Sequence, residues 1–351
     1  MTLPQDGPDD ATPRLVVVTG SGRSGTSTVA GTLKMLGLGI PQPEVKANDT
    51  NPRGFFEPRW VVDFHKRLLA ESGVATLDAR PAAVQKAARR ATRPEARKQL
   101  HDWLRGAVEP QFVVKDPRTF WLHQLWHETA EDLGIDMSML TMLRHPAEVV
   151  GSRDAYYTAN QSVEQRKFRE TGLVAGWVNV ALANERASRA DKRVFVHYEN
   201  LLSDWRTEMV RVRDAFGLDV NTDLEGRERH EVDDFIDVSL HRVKLTWDDL
   251  SIPDQLRDLA DRVWQCLSEL ADDGADHGAA STRMDGLRVE YDTMYEYSRA
   301  LVHDATKARI KTARQNARRE AEAELTPTSL RALPRRAAGK ARRWVAAKAR
   351  R

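Results

Sequence analysis

From Leu15 to Val18 four apolar residues follow one another without interruption, and from Val29 apolar residues return at helical spacing through Leu33 to Leu36. Between them lie Gly20, Gly22 and Gly25 among small polar residues, so the segment predicts a strand, a tight glycine-rich turn and a helix. Short buried-type strands recur at Phe112–Lys115, Met137–Leu143 and Arg193–His197. Helical patterns alternate with them: Trp60, Val61, Phe64 and Leu68; a helix opened by Pro94 that runs through Trp103 to Val108; a helix opened by Pro146 through Val149, Val150 and Ser152 toward Tyr157; and a long one around Gly172–Arg189. Further helices are expected near Asp254–Leu270 and Arg283–Glu324.

Strands alternating with helices predict an α/β fold with a central parallel sheet covered on both faces. Its expected organisation is a flexible leader over 1–13, a catalytic domain over 14–280, a helical extension over 281–325 and a basic tail over 326–351. Residues 74–108, rich in Ala and Arg with weak periodicity, read as a helical insertion or lid over the sheet. No internal repeat of fixed period is present.

Composition narrows the class. Among 351 residues, 41% are hydrophobic and 30% charged, which fits a globular chain with a large core and a heavily charged surface. The lone Cys266 excludes an internal disulfide and a cysteine-rich metal site. The first residues lack both a basic region and an apolar core, and no apolar run approaches a membrane span, so a cytoplasmic protein is expected. The formal net charge of +2 hides an asymmetry: the nine basic and no acidic residues from Arg331 to Arg351 leave 45 basic against 52 acidic elsewhere. A body of that sign argues against nucleic acid as a partner.

The chemistry starts in the turn after the first strand. The pattern G-x-x-x-x-G-K-[ST] is met by Gly20, Gly25 and Ser27, but Thr26 stands where the phosphate-reaching lysine belongs, and the cation is Arg23, inside the loop. Backbone amides of Ser21, Gly22, Arg23, Ser24, Gly25, Thr26 and Ser27, with the positive end of the following helix, form a cradle for an anionic group. A second feature is Arg144 at a strand end with Ser152 eight residues on, a guanidinium and a hydroxyl that can converge on one anion.

Here the sequence resembles the sulfotransferases that use 3′-phosphoadenosine 5′-phosphosulfate (PAPS), over about Leu15 to Lys244. The resemblance implies a three-layer P-loop-like fold, PAPS as donor and adenosine 3′,5′-bisphosphate (PAP) as product. It implies that the loop holds the 5′-phosphosulfate, with Arg23 at the family's basic position, and that Arg144 and Ser152 hold the 3′-phosphate. Tyr198, in Tyr198-Glu199-Asn200-Leu201-Leu202, matches the family's Tyr-Glu-Asp-Leu segment, whose tyrosine lies beside the adenine; Asn200 replaces the usual Asp and caps as well. Arg242 and Lys244 stand in for the basic segment that closes over the 3′-phosphate.

Sulfuryl transfer requires cations for the leaving phosphate and a base for the acceptor's proton. Arg23 and the loop amides meet the first need, and Lys115, at a neighbouring strand end, can neutralise the sulfuryl oxygens. Glu57 leads as base, since it precedes a helix and is flanked by Phe55, Phe56 and Trp60. His65 and Asp116 are the reserves. Trp60, Trp103, Trp121, Trp126 and Trp177 offer either an acceptor platform or ordinary core. The acceptor is expected to be a hydroxyl, less readily an amine, of a small molecule, lipid or saccharide. No metal is expected, because the chemistry needs none and no cluster such as His-x-x-x-His with a third ligand is picked out. The composition suggests a bacterial protein. The rivals are a P-loop kinase or nucleoside triphosphatase, disfavoured by Thr26, and a non-enzymatic binding protein on the same fold. The basic tail interleaves Leu, Trp and Val with Arg and Lys, as in segments that lie on anionic membranes.

Overall fold

The computed structural model describes residues 12–49, 51–154, 162–236 and 244–324. Its strands are β1 (Arg14–Gly20), β2 (Gln111–Lys115), β3 (Asp136–Leu143) and β4 (Lys192–His197), all parallel and in the order β2-β1-β3-β4. The helices are α1 (Thr26–Met35), α2 (Arg59–Ser72), α3 (Ala82–Ala91), α4 (Pro94–Ala107), α5 (His123–Asp132), α6 (Pro146–Asp154), α7 (Val163–Ala187), α8 (Tyr198–Ser203), α9 (Trp205–Phe216), α10 (Glu231–Phe235), α11 (Asp254–Glu269), α12 (His277–Leu301) and α13 (His303–Glu324). The expected α/β architecture with a helical C-terminal extension is therefore present. The reading of α6 as continuing toward Tyr157 falls outside the described residues, as do Arg242, most of the leader and the tail from 325 on.

The strands read as largely apolar runs because both sheet faces are covered. Leu15, Val17, Phe112, Val114, Met137 and Met139 point into one apolar cluster with α2 to α5. Val16, Val18, Val113, Leu140, Met142, Val194 and Val196 point into a second with α1, α8, α9 and α10. Adjacent residues of one strand thus serve opposite layers. The segment 74–108 contributes Ala83, Ala87, Leu100 and Leu104 to the first cluster, all fully buried.

The chain divides into two compact units, Met1–Asp292 and Thr293–Arg351. The second comprises the end of α12 and α13, whose described side chains from His303 onward are exposed. Among the described residues no helix is long and apolar enough to cross a membrane.

Strand order places the site. The chain moves outward from β1 to β2, then crosses back to β3 on the other side, so β1 and β3 flank a topological switch point. Ligands of open α/β sheets bind outside the strands' carboxyl ends at such a point. The residues leaving those ends are Ser21 after β1, Asp116 after β2 and Arg144 after β3.

Candidate active site at the strand ends

The turn between β1 and α1 keeps its shape through backbone conformations that ordinary residues avoid. Gly20 has φ 133°, and a Cβ there would lie 2.6 Å from the Met142 carbonyl of β3. Gly25 has φ 91°, and a Cβ would lie 2.2 Å from Cδ2 of Tyr198, which packs directly against the loop. Ser24 Oγ donates to the Ser21 carbonyl at 2.6 Å and closes the turn. Among the described residues no side chain caps α1 and no acidic residue sits in its first turn, so the helix's positive end carries no local screening there. Gly25→Ala should therefore cost more than the roughly 1–2 kcal/mol of a left-handed L-residue, because Tyr198 must also move. Thermal unfolding checks this, and Tyr198→Ala in the same chain should recover part of the loss.

Arg23 itself has φ 82°, an uncommon conformation for a residue with a side chain. Its guanidinium donates from Nε to Ser152 Oγ at 3.0 Å, while its carbonyl accepts from Arg144 at 3.1 Å. Arg144 and Ser152 thus meet on the same loop residue, one on its backbone and one on its side chain. Arg144 also donates from Nε to Glu148 Oε2 at 2.8 Å, and its guanidinium lies 5.2 Å from the Tyr198 ring centroid. Burial holds the Tyr198 hydroxyl above its ordinary range, against the opposing pull of Arg144.

Beside Arg144 lies a cavity of about 350 Å³, bounded also by Glu148, Tyr198, His145, His197 and Trp247. Burial pushes both histidines below their usual range despite nearby carboxylates, so the wall they form is neutral at pH 7. Lys244 is exposed and directly precedes Leu245, Thr246 and Trp247 on this rim.

On the other side of the loop the structure unites Lys115, Glu57 and Ser27. Lys115, only 2% exposed, donates to Glu57 Oε1 at 2.7 Å, Ser27 Oγ at 3.0 Å and the Phe55 carbonyl at 3.0 Å. An ammonium has three donors, and here all three are used. Asn51 donates to the same Ser27 hydroxyl at 3.1 Å. Glu57 precedes α2, as expected, and it follows Phe56, whose φ of 55° is a second left-handed conformation outside glycine. The two non-glycine residues with positive φ among the described residues thus both belong to this site, where backbone strain is commonly stored.

The reserve bases are both fully buried and paired. His65 is fully buried, with Nδ1 on Asp116 Oδ2 at 3.0 Å and Nε2 accepting from Trp126 Nε1 at 2.8 Å, so both ring nitrogens are engaged. Asp116 also accepts from Arg118 Nε at 2.7 Å. Burial alone would raise its carboxyl, but His65 and Arg118 outweigh this and hold it below the usual range. Of the tryptophans, Trp121, Trp126 and Trp177 are buried, and Trp60 stacks on Trp103 at 4.8 Å against the first cluster.

Two contributors escaped the sequence reading. Glu148 carried a signal, its spacing of four from Arg144 near the start of a helix. Asn51 carried none, since nothing local ties it to Ser27.

Among the solved structures similar to this chain are three sulfotransferases or sulfotransferase domains. The sulfotransferase domain of the Synechococcus PCC 7002 olefin synthase is 18% identical, covers 74% of this chain and 97% of its own, and has a TM-score of 0.41. The sulfotransferase domain from the curacin biosynthetic pathway is 14% identical over 73% of this chain and 98% of its own, with a TM-score of 0.41. A sulfotransferase from Mycobacterium tuberculosis is 16% identical over 71% and 77%, with a TM-score of 0.39. No curated protein matches the chain in sequence. The profile of the sulfotransferase family matches residues 13–222, which hold all four strands, the loop and the residues around it, and on that match the chain belongs to the sulfotransferase family.

Proposed function

We propose that this sulfotransferase moves a sulfuryl group from PAPS to a hydroxyl, less readily an amine, of a small-molecule, lipid or saccharide acceptor. The observation that carries the reading is the meeting of Arg144 and Ser152 on Arg23, which joins a second cationic anchor to the phosphate cradle. A donor with a phosphate at each end of its ribose uses both. PAPS supplies the activated sulfuryl group, with PAP as leaving group. The loop amides and Arg23 receive the 5′-phosphate. Arg144 and Ser152 receive the 3′-phosphate, and Tyr198 forms a wall for the adenosine.

In the transfer, the acceptor oxygen attacks sulfur, the bond to the phosphate oxygen breaks with its electron pair, and the acceptor's proton passes to Glu57. Charge accumulates on the leaving phosphate, where Arg23 stabilises it. Lys115 neutralises the sulfuryl oxygens, and to reach them it must release one of its three present partners. The acceptor enters from the side of Glu57, whose turn between Gly54 and Pro58 forms that wall.

The test is calorimetry with PAP and adenosine 5′-phosphate. The wild type should prefer PAP by about 1.5–3 kcal/mol, the range of a charge-assisted contact. Arg144→Ala should remove most of the preference while leaving adenosine 5′-phosphate affinity nearly unchanged. Equal affinity of the wild type for both nucleotides would overturn the reading, and turnover of ATP with Mg²⁺ would favour a kinase instead.

A further inference from the structure

The expectation of no metal-ligand cluster needs correction: His123 and His127 are a His-x-x-x-His pair, and the fold supplies a third ligand. We propose that His123, His127 and Asp191 bind one divalent transition-metal ion of the zinc class, away from the residues assigned to transfer. The histidines stand four apart on α5, so their imidazoles share one helix face. The rings stack with centroids 5.8 Å apart.

Asp191, immediately before β4, offers one carboxylate oxygen to each ring. Oδ2 lies 2.5 Å from His123 Nε2, and Oδ1 lies 2.8 Å from His127 Nδ1. The three potential ligand atoms all fall within 4.8 Å of one another. The Asp191 side chain is 1% exposed, His123 12% and His127 45%. A buried carboxylate is costly without a full compensating charge. A divalent ion between the three supplies that charge.

Two imidazole nitrogens and one carboxylate oxygen suit zinc, with water in the fourth position on the open side of His127. On binding, the facing nitrogens become ligands and each ring carries its proton on the other nitrogen, with no net proton lost from neutral imidazole. The ion ties α5 to the turn between α7 and β4, more than sixty residues away in sequence, and so acts as a staple for the fold rather than a reactant.

The experiment uses the full-length, untagged protein after chelator treatment and dialysis, titrated with Zn²⁺ by calorimetry and with Co²⁺ by visible absorption. One equivalent of Zn²⁺ should bind, Co²⁺ should develop d–d bands, and Zn²⁺ should raise the thermal midpoint. His127→Ala, at a half-exposed position, and Asp191→Asn should each weaken Zn²⁺ binding by ~100-fold or more, at or beyond the range seen for residues that merely support ligands. PAP affinity should stay unchanged in both variants, which shows that they are folded and separates this proposal from the donor site. Absence of saturable binding below about 1 mM, or binding of equal strength in both variants, would overturn it.

Discussion

Lys115→Met should cost roughly 10²–10³-fold in turnover, the scale of losing one preorganised charge at a reacting centre, and should also destabilise the fold. The stability loss follows from what the side chain leaves behind. Glu57, 7% exposed, loses its cation, and Ser27 and the Phe55 carbonyl lose a donor. Breaking one half of a buried ion pair typically costs about 3–5 kcal/mol, because the remaining charge is stranded. Urea unfolding should therefore show a lower midpoint with an unchanged slope. Adding Glu57→Gln removes the stranded charge, so the double variant should regain much of the stability and none of the activity. A Lys115→Met protein with the wild-type midpoint would show that the ion pair is not desolvated. One with wild-type turnover would remove Lys115 from the transfer.

Arg23→Ala should lower turnover by ~10² or more and donor affinity by less, since its cation is needed most when charge develops on the leaving phosphate. The backbone at φ 82° permits a cleaner experiment than alanine alone. Arg23→Gly removes the same guanidinium and also the left-handed penalty, so it should be about 1 kcal/mol more stable than Arg23→Ala. If the cation carries the effect, the two variants should be equally slow. If glycine restores turnover that alanine loses, the strained backbone and not the guanidinium governs the rate. Near-normal turnover in both would exclude Arg23 from the mechanism.

Much of this architecture could be read from local pattern. The apolar runs at Leu15–Val18, Phe112–Val114 and Met137–Leu143 are strands, and Pro146 does open a helix. Boundaries slipped where charged residues extend an element: α7 begins at Val163, well before Gly172, because Ser162 caps it with Gln165 in a reciprocal pair that apolar periodicity does not register. The sheet order, by contrast, is a tertiary fact. Only the crossing from β2 back to β3 brings Arg144 beside Arg23, 121 residues earlier in the chain.

The sequence by itself determined the chemistry available at the strand ends. Glycines at 20 and 25 permit the turn, Thr26 replaces the phosphate lysine, Arg23 lies in the turn after one strand, Lys115 ends another and Arg144 directly follows a third. Those are properties of residue type and short spacing. Tertiary structure decided which groups are usable. It enclosed His65 between Asp116 and Trp126, filled all three donors of Lys115, set Glu148 on Arg144, and delivered Asp191 to a histidine pair 64 residues away. The physical reason is that burial and hydrogen-bond saturation depend on neighbours brought in by packing, and no local pattern records which neighbours those will be.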